Sequence, residues 1–216
     1  SAPGHPTHGI GAAGKREDRE TEMGTYVLVH GAWHTGELLE DVAAPIRAAG
    51  HEVHCPTIAG NRPGDGKRTG LAEAIASIAD YLAEKDLNDV VLMGHSYGGM
   101  VITGTADREM ARIRRLVYWN AFVPNDGEAL NDMVPPHYVT LFDQIAGQSD
   151  DNSVMLPFPI WREAFINDAD AALAQSAYDK LNPHPYGTFT DAISLKANPA
   201  EMPVAKSYIN CTEDTA

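Results

Sequence analysis

One stretch, residues 90–106, limits the possible folds of this chain more than any other part of the sequence. It begins with four apolar residues in a row, Val-Val-Leu-Met, which is typical of a buried parallel strand, and continues at once as Gly-His-Ser-Tyr-Gly-Gly over residues 94–99. Residues 100–106 can form a helix, so the Gly-x-Ser-x-Gly pattern lies in the strand–turn–helix context of a nucleophile elbow. Because so sharp a turn holds its serine in strained dihedral angles with the hydroxyl exposed, Ser96 is the candidate nucleophile. The alternative, an incidental serine in a glycine-rich loop, does not explain the flanking strand and helix.

Strands and helices alternate over the rest of residues 23–124. Short apolar runs predict strands, and apolar residues spaced to cover one face predict helices. The predicted strands are residues 26–29, 51–55, 90–93 and 116–119, and the predicted helices are residues 37–49, 71–83 and the stretch after residue 99. Such alternation is typical of an α/β fold with a mostly parallel sheet and helices on both faces. Pro45 is expected to kink the first helix.

The pattern changes in residues 125–200, where prolines divide the chain into short helical pieces. These pieces are rich in large apolar side chains, and they predict a helical cap inserted into the α/β core. We expect about half of the large side chains to fill the cap itself and the others to line a substrate pocket. Strand character returns at residues 204–211, so residues 23–124 and 201–216 are expected to form the core.

Residues 1–22 show no apolar periodicity and predict a disordered tail, or residues added for expression. Residues 9–14 within this stretch match Gly-x-Gly-x-x-Gly, the pattern of a dinucleotide-binding turn. No strand precedes the match, and without a strand to deliver the glycines to a pyrophosphate we expect no cofactor site there.

The composition excludes several classes of function. A net charge of −14 with no basic patch argues against binding to nucleic acid and to anionic membranes, and no apolar run is long enough to span a bilayer. The two cysteines, Cys55 and Cys211, both fall in predicted strands. They are therefore expected to be buried thiols, which favours a reducing and so a cytoplasmic compartment.

Four segments taken together resemble the α/β-hydrolase superfamily. They are His-Gly-Ala-Trp at residues 30–33, the elbow at 94–99, Ala-Phe-Val-Pro at 121–124, and residues 208–214 near the end. The branch they resemble holds small carboxylesterases, plant methylesterases and hydroxynitrile lyases. The resemblance implies the α/β-hydrolase fold with a helical cap insertion, a small-molecule ester as substrate, and no cofactor.

The resemblance assigns roles to individual residues. It makes Ser96 the nucleophile and places the two oxyanion-hole donors at the backbone N–H groups of Ala32 and Tyr97. Asp214 matches the acid that orients the catalytic base, with Asp126 as the alternative because some relatives carry the acid after the strand that precedes the cap. The candidate substrate-binding residues are Trp33, His34, Tyr138, Phe158 and Trp161.

The catalytic base has no match in the sequence. The family places its histidine downstream of the acid, whereas no histidine follows His184. His30 and His95 resemble structural members of their motifs, and recruiting His137 or His184 from the predicted cap would depart from the family. We therefore expect the sequence to be truncated, so that a C-terminal strand and helix, with the base, are missing from it.

Gly31 bears on the type of reaction. Hydroxynitrile lyases of this branch typically carry a threonine at this position, so the resemblance favours hydrolysis of an ester, carbamate or amide through an acyl-Ser96 intermediate. Two alternatives stay open: a non-hydrolytic enzyme on the same fold, either lyase-like or a cofactor-free oxygenase, and a catalytically inactive binding protein. His51 and His54 lie three apart on a predicted strand and so face opposite sides, which argues against a shared metal. The sequence leaves a homo-oligomer open.

Overall fold

The structure is a computed structural model that describes residues 22–214. The predicted tail, apart from Glu22, and its glycine-rich pattern at residues 9–14 lie outside the described residues. The strands of the described chain are β1 (Thr25–Val29), β2 (Glu52–His54), β3 (Val90–His95), β4 (Ile113–Trp119), β5 (Ser153–Val154), β6 (His184–Pro185) and β7 (Ala205–Ile209). The α-helices are α1 (Glu40–Ala48), α2 (Leu71–Glu84), α3 (Gly98–Glu109), α4 (Pro136–Gln148), α5 (Phe158–Phe165), α6 (Ala171–Tyr178) and α7 (Gly187–Thr190).

The main sheet has five strands in the order β2-β1-β3-β4-β7, and every neighbouring pair is parallel. In the register, Val29 lies opposite Gly94, and Trp119 lies opposite both His95 and Ile209. The carboxyl ends of β1, β3, β4 and β7 therefore meet at one edge of the sheet. The parallel sheet of the predicted α/β fold is confirmed, and β5 and β6 form a separate antiparallel pair.

Helices cover both faces of the sheet, as predicted. The side chains of each strand alternate between the two faces, so each face presents apolar side chains against which helices pack. On β1, Val27 and Val29 join the large apolar cluster that contains the buried faces of α2 and α3. Leu28 points the other way and packs in a smaller cluster with Ala43 of α1 and Val53 of β2. The predicted helix of residues 37–49 forms as one 3-10 turn (Gly36–Leu39) followed by α1, which contains Pro45.

The segment between β4 and β7 holds four α-helices, two 3-10 turns (Leu130–Asp132 and Pro199–Glu201) and the β5–β6 pair, with prolines at the starts of α4 and α5. Phe142 of α4 and Trp161 of α5 belong to the same apolar cluster as Leu92 at the centre of the sheet. This segment therefore packs against the sheet's own core rather than around a separate one. Its description as a cap, and the domain boundaries, remain predictions.

The prediction of two buried thiols is wrong. Cys55 is half-buried and Cys211 is exposed, because β2 ends at His54 and β7 ends at Ile209, so both residues lie just past the strands expected to contain them. Strand β7 is also the edge of the sheet, and the side chains of Tyr208 and Ile209 are exposed. The inference of a reducing compartment from buried cysteines therefore loses its basis.

Candidate active site

Ser96 occupies the turn between β3 and α3 and has φ of +52°, in the left-handed region that residues other than glycine rarely adopt. The turn is tight enough to exclude side chains from its neighbours. A Cβ at Gly98 would lie 2.7 Å from the carbonyl oxygen of Val29, and one at Gly94 would lie 2.6 Å from the carbonyl oxygen of Gly98. These close approaches explain why the pattern requires glycine at both positions.

Backbone hydrogen bonds hold Ser96 in this conformation. Its N–H donates to the carbonyl oxygen of Trp119 (3.3 Å), at the end of β4. Its own carbonyl oxygen accepts from the N–H of Gly99 (2.9 Å) and from that of Phe122 (3.2 Å). The serine is therefore held by the helix that follows it and by the neighbouring strand, and its half-buried side chain lines a cavity.

Ala32 and Tyr97, whose N–H groups are the candidate oxyanion donors, line the same cavity as Ser96. Tyr97 is the residue before α3, so its N–H belongs to the electropositive end of that helix. Ala32 lies in the turn after β1 and is followed by Trp33, which has φ of +67°. Within residues 22–214, neither N–H donates to a protein acceptor.

Asp214 lies in the loop after β7 and lines the cavity. Its carboxylate accepts a hydrogen bond from the side-chain amide of Asn120, which itself has φ of +43°. The Asn120 N–H donates to the carbonyl oxygen of Ile209 (2.8 Å), and its Oδ1 accepts from the N–H of Cys211 (3.1 Å). Asn120 thus ties the end of β4 to the loop that carries Asp214, a role that the sequence analysis did not find. Its only sequence signal is an asparagine directly after a predicted strand, a residue type that tolerates left-handed dihedral angles.

Asp126, the alternative acid, is exposed and does not line the cavity. Its Oδ1 accepts from the N–H of Leu195 (2.8 Å), and its own N–H donates to Oδ1 of Asn198 (2.8 Å). The structure therefore brings Asp214, rather than Asp126, to the cavity that Ser96 lines.

The cavity has a volume of about 280 Å³ and a wall rich in aromatic side chains. Three of the candidate substrate-binding aromatic residues line it, whereas Phe158 does not, because its ring packs against Tyr178 with 5.3 Å between the ring centroids. His34, the remaining candidate, also lines the cavity. The tryptophan, tyrosine and phenylalanine residues of the wall are Trp33, Tyr97, Phe122, Tyr138, Phe142, Trp161, Phe165 and Phe189.

The histidines around Ser96 are held neutral. His30 is fully buried, its Nδ1–H donates to the carbonyl oxygen of Gly31 (2.8 Å), and its Nε2 accepts from the N–H of Ile58 (3.0 Å). Burial lowers the pKa of His30 to about 3 and that of His95 to about 4. Burial also lowers the pKa of His34, whose Nδ1–H donates to the carbonyl oxygen of Ala32 (2.7 Å). All three imidazoles are therefore uncharged at neutral pH.

Comparison with known proteins identifies the class to which this fold and this turn belong. Residues 26–216 match the model of the alpha/beta hydrolase family, and the chain belongs to that family. The branch predicted from the sequence is also confirmed, since esterases, a methylesterase and a hydroxynitrile lyase are among the similar proteins.

Three similar proteins illustrate the range. The carbendazim hydrolyzing esterase of Nocardioides sp. (strain SG-4G) is 47% identical over 116 residues, which are 52% of this chain and 48% of that protein. The alpha-hydroxynitrile lyase of Arabidopsis thaliana is 30% identical over 127 residues, 56% of this chain and 47% of the lyase. A solved extracellular alpha/beta-hydrolase from a Paenibacillus species, described as sharing structural and functional homology with tobacco salicylic acid binding protein 2, superposes with a TM-score of 0.85 at 36% identity. That superposition covers 89% of this chain and 79% of the other.

The chain spans about half the length of the curated relatives it matches first. Among residues 22–214, no helix is long and apolar enough to cross a membrane, and no group of three or more His, Cys, Asp or Glu side chains is arranged to hold a metal ion. The cytoplasmic location remains a prediction, and one similar protein is extracellular.

Proposed function

We propose that this protein is a serine hydrolase that cleaves a small carboxylic ester, or a related carbamate or amide, through an acyl-Ser96 intermediate. The observation that carries the proposal is the position of Ser96. It holds φ of +52° at the turn between β3 and α3, and it lines one cavity together with Ala32, Tyr97 and Asp214. The esterases among the similar proteins support the same reaction class.

The proposed reaction begins when a histidine base accepts the Ser96 hydroxyl proton and Oγ attacks the substrate carbonyl carbon. The N–H groups of Ala32 and Tyr97 then stabilise the oxyanion, and loss of one such donor typically costs about 10²–10³ in kcat. The base returns the proton to the leaving alcohol, and water later hydrolyses the acyl-Ser96 ester. Asp214 orients the base. The family order places this histidine downstream of the acid, and its place in the sequence remains a prediction.

The wall of the cavity favours an uncharged substrate with a flat apolar group. None of the described residues that line it is a lysine or an arginine, so an anionic substrate would find no positive partner and would meet the Asp214 carboxylate. The aromatic side chains offer faces against which a ring can pack. A neutral ester of modest size therefore suits the cavity better than a free acid or a phosphorylated compound.

The test is hydrolysis of a short p-nitrophenyl ester by the 216-residue chain and by a version extended at its C-terminus with the strand, helix and histidine base that the family order places after the acid. We expect a burst of p-nitrophenol in at least one version, labelling of Ser96 by a fluorophosphonate, and loss of both in Ser96→Ala. No burst and no labelling of either version would contradict the proposal.

A lyase reaction is the second candidate, because one of the similar proteins is a hydroxynitrile lyase. Gly31 argues against it: a Cβ at this position would lie 3.0 Å from Nδ1 of His95 and 3.2 Å from Cβ of Ser96. The threonine that lyases of this branch typically carry would therefore crowd both side chains. Cleavage of a cyanohydrin without an acyl-enzyme, retained in Ser96→Ala, would favour the lyase.

A further inference from the structure

The turn that carries the Ala32 N–H contains a residue in an unfavourable conformation. Trp33 has φ of +67° and is 5% exposed, and a bulky side chain in the left-handed region needs neighbours that hold it there. The contacts of Trp33 fix the peptide group between residues 32 and 33, which carries the Ala32 carbonyl oxygen and the Trp33 N–H. The Ala32 N–H lies on the preceding peptide group, on the other side of the Ala32 Cα, so a fixed 32–33 group restrains it through that Cα.

The polar groups of Trp33 are all bound by residues more than a hundred positions later in the chain. Its N–H donates to Nδ1 of His184 (3.3 Å), and its indole N–H donates to the carbonyl oxygen of Val154 (2.9 Å). Its carbonyl oxygen accepts from the backbone N–H (3.0 Å) and from the side-chain amide (3.2 Å) of Asn182.

The tautomer of His184 follows from its partners. The Thr188 hydroxyl donates to the carbonyl oxygen of Pro185 (2.7 Å), so its oxygen accepts from Nε2–H of His184 (2.8 Å). Nδ1 is therefore an acceptor, and it is shared by Trp33 N–H and the side-chain amide of Asn61 (3.0 Å). His184 is fully buried, and burial lowers its pKa well below the ordinary value, so that it stays a neutral acceptor.

Asn182 is fixed in turn by Lys67. The Lys67 ammonium group donates to Oδ1 of Asn182 (2.9 Å) and to the carbonyl oxygen of Gly60 (2.7 Å). This leaves the amide nitrogen of Asn182 directed at the Trp33 carbonyl oxygen. The Ala32 carbonyl oxygen belongs to the same peptide group as the Trp33 N–H, and it accepts a hydrogen bond from Nδ1–H of His34.

We propose that His184 and Asn182 are positioning residues that hold Trp33 in its left-handed conformation, fix the 32–33 peptide group and, through the Ala32 Cα, restrain the direction of the Ala32 N–H at the oxyanion hole. The inference rests on the proposed function, in which that N–H is a donor. Neither residue lines the cavity, and neither is expected to touch the substrate.

A matched pair of variants tests the inference. His184→Asn keeps an amide oxygen near the position of Nδ1, whereas His184→Gln reaches the position of Nε2 and removes the acceptor for Trp33 N–H. Because an oxyanion donor acts on the transition state, we expect His184→Gln to lower kcat by about tenfold or more with KM changed less than about twofold, and His184→Asn to recover most of the loss. Equal losses of kcat in the two variants would overturn the inference.

Two readouts do not depend on hydrolysis, so failure of the proposed function and failure of the inference can be told apart. Amide hydrogen exchange over residues 31–34 should be faster in His184→Gln than in His184→Asn, and a crystal structure of His184→Gln should show Trp33 outside the left-handed region. Unchanged exchange and an unchanged φ would overturn the inference even if the protein is an esterase. If His184→Gln does not fold, Asn182→Ala, at a half-buried position, is expected to speed the same exchange, and its failure to do so would also overturn the inference.

Discussion

Ser96 is a non-glycine residue in the left-handed region of backbone conformation, and the protein holds it there with three backbone hydrogen bonds. Strain of this kind typically costs about 1–3 kcal/mol and persists where the surrounding structure imposes it. In the proposed reaction this backbone conformation exposes the Ser96 hydroxyl at the turn, beside the N-terminus of α3. Function and stability are therefore expected to conflict at this residue.

A comparison of two substitutions at Ser96 measures this conflict. Ser96→Gly should raise the free energy of unfolding by about 1 kcal/mol relative to Ser96→Ala, because glycine adopts positive φ without the Cβ penalty. Both variants should lose hydrolysis. Chemical denaturation of the two proteins gives the difference, and equal midpoints with equal slopes would show that the serine is not strained.

A side chain at residue 31 should interfere with the reaction at Ser96. Gly31→Thr is expected to lower kcat/KM for a p-nitrophenyl ester by at least about tenfold, since its Cβ would displace His95 or Ser96. Gly147→Thr on α4 is the matched control, because a Cβ there meets nothing within 4 Å. Similar activity in the two variants would contradict the packing argument.

At the level of secondary-structure elements, the candidate site is assembled from loops at the carboxyl ends of β1, β3, β4 and β7. Parallel pairing in this order brings the four loops to one edge of the sheet. The loop after β4 and the loop after β7 are joined through Asn120, which bonds to Ile209, Cys211 and Asp214. The position of the Asp214 carboxylate therefore depends on a side chain from a different strand.

Removal of the Asn120 side chain should separate these two loops. Asn120→Gly keeps the positive φ of +43° without strain but loses the amide that holds Asp214, so we expect kcat to fall by about tenfold while KM changes little. Asn120→Asp should be worse, because two carboxylates would face each other. Steady-state kinetics and melting temperatures of both variants check this. If the loss of kcat only followed the loss of thermal stability in the two variants, the role of Asn120 would be contradicted.

At the scale of the whole molecule, neutral histidines lie at or beneath the candidate site. His30 and His184 are fully buried, and burial lowers the pKa of each below the ordinary value of 6.5. Such a group binds its proton more readily in the unfolded chain than in the folded one. Between the folded pKa and 6.5 the unfolded state therefore holds more protons, and the free energy of unfolding rises with pH.

Stability should consequently fall as the pH is lowered below about 6.5, by up to about 1.4 kcal/mol per pH unit for each buried histidine. For His30 this window extends down to a pKa of about 3. His184→Asn removes one such group and should make the dependence shallower between pH 6.5 and 5. Denaturation at a series of pH values checks this outcome, and an equal slope for wild type and His184→Asn would contradict the assignment of His184 as a neutral acceptor.

Local sequence patterns predicted the sheet well because buried parallel strands are continuous apolar runs. Residues 90–93 lie within β3 and residues 116–119 within β4, and the predicted helix of residues 71–83 differs from α2 by one residue. The cysteines were placed wrongly because each follows a strand by one or two residues, and a strand end is determined by pairing partners that the local pattern does not contain. Phe158 was grouped with Trp161 as an aromatic residue, but only packing decides which of the two faces the cavity.

The sequence by itself determined the turn: glycines at 94 and 98, a serine between them, and apolar runs on both sides leave one arrangement of strand, turn and helix. Only the tertiary structure decided what surrounds that turn. Asn120 meets Asp214 across 94 positions and His184 meets Trp33 across 151, and no local pattern records either hydrogen bond. Such contacts form because the parallel sheet brings distant loops to one edge. There the buried Trp33 N–H and His184 imidazole, which are shielded from water, pair with each other, and the exposed Asp214 carboxylate meets the Asn120 amide.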